Sequence, residues 1–148
     1  LPLMDVQRCR QCNERGWGEC LEHGACVIDD DFAALADQIR SADAAVFVTP
    51  VYWGDLSESM RAFTDRLRRI TRHDNGRAGI EGKLGIGVCV AGGGGGGAPH
   101  CCVSLERTLS TAGFNLVDMV PVRRQNLAHK RGVLEATGRW LAQGAPEA

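Results

Sequence analysis

The sequence predicts an α/β fold, a doubly wound parallel sheet with helices on both faces. Three observations carry that expectation. Apolar runs at 44–49 and 84–91 show no period-two alternation, as in parallel strands covered on both sides. Segments with helical apolar spacing lie between the runs. Glycine-rich or aromatic turns follow the runs, the order expected of strand–turn–helix units with right-handed crossovers.

The elements follow in chain order. Residues 3–6 read as the end of a strand, followed by a cysteine-rich loop. Asp29, Asp30 and Asp31 are candidate caps for a helix that buries Phe32, Leu35, Ala36 and Ile39. The next strand is 44–49, which Pro50 is expected to end because proline lacks the N–H that a ladder needs. Ser57 caps a helix whose apolar residues Met60, Phe63, Leu67 and Ile70 share one face. A polar connector at 72–83, with Asn75-Gly76 as a turn signal, leads to the strand at 84–91. After glycines 92–97 come a helix from about 101 to 112, Gly113 as its C-cap, and a last strand at 114–120. Asn126 caps a final helix expected to bury Leu127, Val133, Leu134, Thr137, Trp140 and Leu141.

At 148 residues and 44% hydrophobic, the chain is expected to form a single domain with a real core. Lys and Arg number 17 against 18 Asp and Glu, a balance that gives no footprint for nucleic acid. No apolar run is long enough to span a bilayer, and no secretory signal pattern opens the sequence. Seven cysteines, an odd number, in an α/β chain are expected to be thiols in a reducing cytoplasm.

Three constellations carry chemistry. At Thr49, Pro50, Val51, Tyr52, Trp53 and Gly54, a strand end delivers two adjacent aromatic rings and a glycine to a turn, where a flat ligand can dock. The alternative is that the rings merely cover a core edge. Gly92, Gly93, Gly94 and Gly95 follow a strand and have no side chains to hold a ligand away, although a flexible linker has the same composition. Cys9, Cys12, Cys20 and Cys26 are spaced C-x2-C-x7-C-x5-C, which suits an iron–sulfur cluster or tetrahedral zinc, with unliganded thiols as the third reading. Cys101 and Cys102 fall near a helix start but read as small buried hydrophobes. Arg123 and Arg124 follow the last strand, where they could meet the phosphate of a nicotinamide donor.

The string Ala42, Asp43, Thr49 to Gly54, Ser57, Met60, Arg61, Phe63, Asp65 and Arg66 resembles the NADPH-dependent FMN reductases of the flavodoxin-like superfamily, and among them the iron–sulfur flavoproteins. The resemblance implies strand order 2-1-3-4-5, an arrangement known from flavodoxin itself, with FMN against the 50–54 turn and the glycine loop. It also implies that these residues lack the family's first strand, phosphate loop and first helix, so the phosphate ligands lie outside them. Iron–sulfur flavoproteins carry a more compact cysteine pattern; Arg15 stands where their third cysteine falls, and Cys20 is its substitute here. The four cysteines are then expected to hold a [4Fe-4S] cluster, with zinc as the alternative, on a loop near the carboxyl edge of the sheet.

The implied function is that of an FMN-dependent oxidoreductase taking hydride from NAD(P)H and passing electrons to a quinone, a flavin, an iron–sulfur centre or a protein. The flavin supplies the chemistry, so no catalytic acid–base pair is expected. The alternatives are a non-enzymatic flavin or iron–sulfur electron carrier and a zinc-stabilised binding module. Assembly as a homodimer or homotetramer is expected from the resemblance, with one subunit's cysteine loop near a neighbour's flavin.

Overall fold

The computed structural model describes residues 3–144. Its helices are α1 (Glu19–Glu22), α2 (Phe32–Ser41), α3 (Glu58–Ile70), α4 (Asp74–Arg77), α5 (Ala98–Thr111) and α6 (Leu127–Ala142). Its strands are β1 (Ala44–Tyr52), β2 (Asp55–Leu56), β3 (Leu84–Ala91) and β4 (Asn115–Arg123). They form one sheet in the order β2-β1-β3-β4, parallel except for the short β2, which pairs antiparallel with the end of β1. One core gathers Phe32, Phe47, Phe63, Leu67, Leu105 and Phe114 from α2, α3, α5 and the sheet face they cover. On the opposite face Ile86, Val88, Val120 and Val122 pack with Leu134 and Leu141 of α6.

That second face is only half covered, which corrects the expectation for β1. Val46 and Val48 are 54% and 57% exposed, whereas Phe47 and Thr49 are buried on the other side of the same strand. Among the described residues only α6 reaches this face, and it lies over β3 and β4. The central β3 is accordingly the strand buried on both faces. For the same reason α6 has no fully buried residue: Leu127 and Trp140 are exposed, and Val133, Leu134, Thr137 and Leu141 are half-buried.

Other boundaries move for identifiable reasons. β1 does not stop at Pro50: the strand continues to Tyr52, and Pro50 keeps its place opposite Val90. β1 has a second neighbour only at Val51 and Tyr52, so it is an edge strand for most of its length, where proline is tolerated. Residues 3–6 form no strand. Their backbone is engaged elsewhere, Asp5 N–H donating to Asp31 Oδ2 at 2.8 Å and Gln7 N–H to Asp30 Oδ2 at 2.8 Å. α5 begins at Ala98, three residues early, with proline in its first turn, and β4 runs on to Arg123.

The chain before α2 is fastened to α3 by a buried ion pair. Arg66 is 1% exposed, and its guanidinium grips the buried carboxylate of Asp30 with two bonds, Nη1 to Oδ2 at 2.6 Å and Nη2 to Oδ1 at 2.9 Å. Nη1 also donates to Gln7 O at 3.0 Å, and the guanidinium lies 4.2 Å from the centre of the Phe32 ring. Burial pushes the Asp30 carboxyl up. The bonds from Arg66 and from the Gln7 and Phe32 N–H groups outweigh it and hold the group below its ordinary value. A depressed carboxylate contributes stability above its unfolded pKa and loses it as pH falls through the folded one. Urea midpoints are therefore expected to hold through neutral pH and to fall below about pH 4, less steeply in Asp30→Asn. Arg66→Ala, which strands the buried carboxylate, is expected to cost about 3–5 kcal/mol in the same measurement.

Candidate functional site

The end of β1 is built as a two-residue hairpin. Tyr52 pairs with Asp55, and the residues between them, Trp53 and Gly54, have φ of +52° and +81°. Positive φ at both central positions is the mark of the type I′ turn that strand twist favours. Glycine suits it; tryptophan in the left-handed region costs about 1–2 kcal/mol. The ring gains nothing in return from packing, because Trp53 is fully exposed. Strain of this kind gathers at ligand clamps. Tyr52 is half exposed beside it.

Thr49 takes a different place from the one its position in the string suggests. It is fully buried: its hydroxyl lies 3.2 Å from Ser57 Oγ and accepts from Ser57 N–H at 3.3 Å, while Ser57 Oγ caps α3 by accepting from Met60 N–H at 3.3 Å. Thr49 thus ties β1 to the start of α3, and its side chain does not face the open edge. Asp55 braces the hairpin from the other side. Its Oδ1 accepts from Leu56 N–H at 2.8 Å and its Oδ2 meets Arg61 at 2.6 Å. The Leu56 N–H holds this carboxyl below its ordinary value, helped against burial by Ser104 and Arg61. A groove of about 300 Å³ runs along this corner, lined by Val48, Pro50, Tyr52 and the first turn of α3.

The structure brings the glycine loop to the same corner. A Cβ on Gly97, whose φ is +81°, would stand 2.5 Å from Gly54 Cα and 3.3 Å from Val51 Cγ1, so the two turns touch through bare backbone. Val51 is therefore half-buried as their shared support. Gly92, Gly93 and Gly94 have nothing within 4 Å of the Cβ direction, whereas Gly95 is buried, a Cβ there meeting Gln125 Oε1 at 2.6 Å and Arg123. Gly95 N–H donates to Gly92 O at 2.8 Å and Gln125 Nε2 to Gly94 O at 3.3 Å. The loop is a hydrogen-bonded turn with four open residues, Gly96 being the fourth, and not a linker. Beneath it, Cys89, Cys101 and Cys102 are buried and burial pushes their thiols up, so they serve as packing.

Cys9, Cys12, Cys20 and Cys26 line one cavity with Arg66, Arg69 and Ile70. This corrects the expected location of the loop. The cavity lies beside the last turns of α3, whereas α3 starts at the carboxyl edge of the sheet; from Ser57 to Arg66 the helix rises about 13 Å. The Asp30–Arg66 pair, in mid-helix, sets that height. Two further contacts fix the loop, and neither was legible from spacing. Gly24 and Gly76 meet so closely that a Cβ on Gly24 would stand 2.3 Å from Gly76 N. Arg69 stacks 4.1 Å from the centre of the Trp17 ring and donates to Gly16 O. A glycine pair and an aromatic beside helical arginines were the available signals.

The profile of the NADPH-dependent FMN reductases matches residues 3–132. The chain belongs to this family. An iron–sulfur flavoprotein of Archaeoglobus fulgidus is 33% identical over 87 residues, 59% of this chain and 41% of that protein. One from Methanosarcina thermophila is 30% identical over 88 residues, 60% of this chain and 42% of that protein. The matches thus span less than half of these relatives. Among solved structures, the Trp repressor binding protein from Bacillus subtilis superposes with a TM-score of 0.56 at 19% identity, over 76% of this chain and 71% of that one. General stress protein 14 of Treponema denticola, in complex with FMN, gives 0.51 at 18% identity over 82% and 74%. The fold is flavodoxin-like.

The contact between the two turns yields a prediction. Gly97→Ala is expected to lower stability by about 1–3 kcal/mol in urea unfolding, through collision with Gly54 and a left-handed alanine. Gly94→Ala, with open space and no left-handed φ, is expected to change it by less than about 0.5 kcal/mol.

Proposed function

We propose that the chain is the flavin-holding part of an FMN-dependent oxidoreductase that accepts hydride from NADPH or NADH and passes electrons onward. The contact of Gly97 with Gly54 carries the reading, because it joins an exposed aromatic turn and an open glycine turn at the ligand-bearing edge of a parallel sheet. The residues fit a flat ring: Pro50, Tyr52, Trp53 and Gly54 would hold one side of the isoalloxazine, and the backbone of Gly92, Gly93 and Gly94 would approach its polar edge. FMN supplies hydride acceptance and one-electron release when bound. The protein supplies the platform, exclusion of water by the two rings, and N–H groups for the ring's oxygens. Family membership supports the nicotinamide donor.

The cysteine cavity supports a second redox group, an iron–sulfur cluster on Cys9, Cys12, Cys20 and Cys26, as the names of the relatives suggest. Zinc on the same four thiolates is the alternative occupant, and iron, sulfide and zinc analysis distinguishes the two.

The test of the flavin reading is FMN titration with NADPH oxidation in the presence of a quinone or free flavin. FMN binding with turnover is the expected result; FMN binding without NADPH oxidation favours an electron carrier, and no FMN binding overturns both. Trp53→Gly separates binding from folding. It is expected to raise stability by about 1 kcal/mol, since glycine accepts the turn, while weakening FMN about five- to tenfold. For the cysteines, serine at any one of the four positions is expected to lower iron and sulfide to a similar extent. Losses confined to one pair of positions would contradict a shared centre.

A further inference from the structure

Arg66 and Arg69 both face the cysteine cavity with a donor unused. Arg66 spends its two Nη atoms on Asp30 and Gln7, and its Nε is buried without a partner. Arg69 spends Nη2 on Gly16 O and its face on Trp17, and its Nε is likewise buried and unpaired. Thr71 Oγ1 and Arg40 Nε are the other buried unpaired side-chain atoms among the described residues, so half of that set belongs to residues lining one small cavity. The Cys26 thiol stands beside the Arg66 guanidinium. Asp30 neutralises Arg66, but Arg69 makes no ion pair among the described residues. A buried N–H left unpaired is costly, and two of them on cations, walled by sulfur, mark a place for an anionic sulfur-rich group.

We propose that Arg66 and Arg69 are positioning residues of the cysteine centre, donating Nε–H to sulfurs of the bound cluster and holding its reduction potential up. The inference rests on the cluster reading above. A reduced cluster carries one more negative charge than an oxidised one, so fixed positive charge and N–H···S bonds favour the reduced state. The same two residues fasten the loop to α3, through Asp30 and through Trp17. One helix face thereby both anchors the centre and sets its electrostatics.

The test uses Arg69→Gln, Arg69→Lys and the double variant Asp30→Asn/Arg66→Gln, which replaces the buried ion pair by two neutral amides. Each is prepared anaerobically with iron and sulfide, and the midpoint potential is read by redox titration at matched iron content. A lower potential in Arg69→Gln is the expected result, with Arg69→Lys between it and the unaltered protein, and a smaller drop in the double variant, which loses the Arg66 Nε–H but no net charge. Where Arg69→Gln loses iron and Arg69→Lys retains it, the potential of Arg69→Lys decides: a value below that of the unaltered protein is expected, because lysine keeps the charge but not the Nε–H, and an equal value overturns the inference. Full iron with an unchanged potential in Arg69→Gln overturns the inference while leaving the cluster reading intact. So does equal iron loss in both Arg69 variants, the mark of a merely structural strap. An unaltered protein that takes up no iron overturns the cluster reading itself.

Discussion

The Arg66–Asp30 pair is the constraint on which the rest of the arrangement depends. A carboxylate and a guanidinium removed from water are tolerable only with every lone pair and most N–H groups engaged, and here the partners come from three places in the chain: Gln7, Asp30 with Phe32, and α3. The pair therefore decides where residues 3–30 run. Their backbone bonds to Asp30 and Asp31 rather than to a neighbouring strand, and the cysteine loop between is held against the far half of α3.

The helix that receives this clasp begins at the corner of the aromatic turn. Ser57 caps it and is itself locked to Thr49, one strand residue before Pro50, so a displacement of α3 would be felt at the aromatic turn. The two candidate redox sites thus share one rigid element, at opposite ends. Their separation along it follows from helix geometry, and it places the cysteines off the edge where the rings of Tyr52 and Trp53 stand.

Much of this was legible in the sequence, for local reasons. The 3-4-3 spacing of Met60, Phe63, Leu67 and Ile70 gives a buried helix face in any context, and all four are buried. The YWG and glycine turns follow strands, and both end at one edge because the strands are parallel. What was not legible depends on neighbours. Val46 and Val48 read as core residues, yet nothing among the described residues covers them. Pro50 reads as a strand end, yet an edge strand accepts it. Thr49 belongs to the same string as Trp53, and only its burial against Ser57 separates a structural residue from a candidate contact. The Gly24–Gly76 approach and the Arg69–Trp17 stack join segments 52 residues apart, and no spacing rule reaches that far.

The central claim is that one chain carries a flavin platform and a sulfur-ligated iron centre on the two ends of α3. The visible spectrum of the anaerobically purified protein, taken with iron, acid-labile sulfide and zinc analysis, addresses it most directly. The account predicts flavin bands over a broad iron–sulfur absorbance, with iron and sulfide in equal amounts and little zinc. A colourless protein, or one holding zinc in place of iron and sulfide, would contradict it.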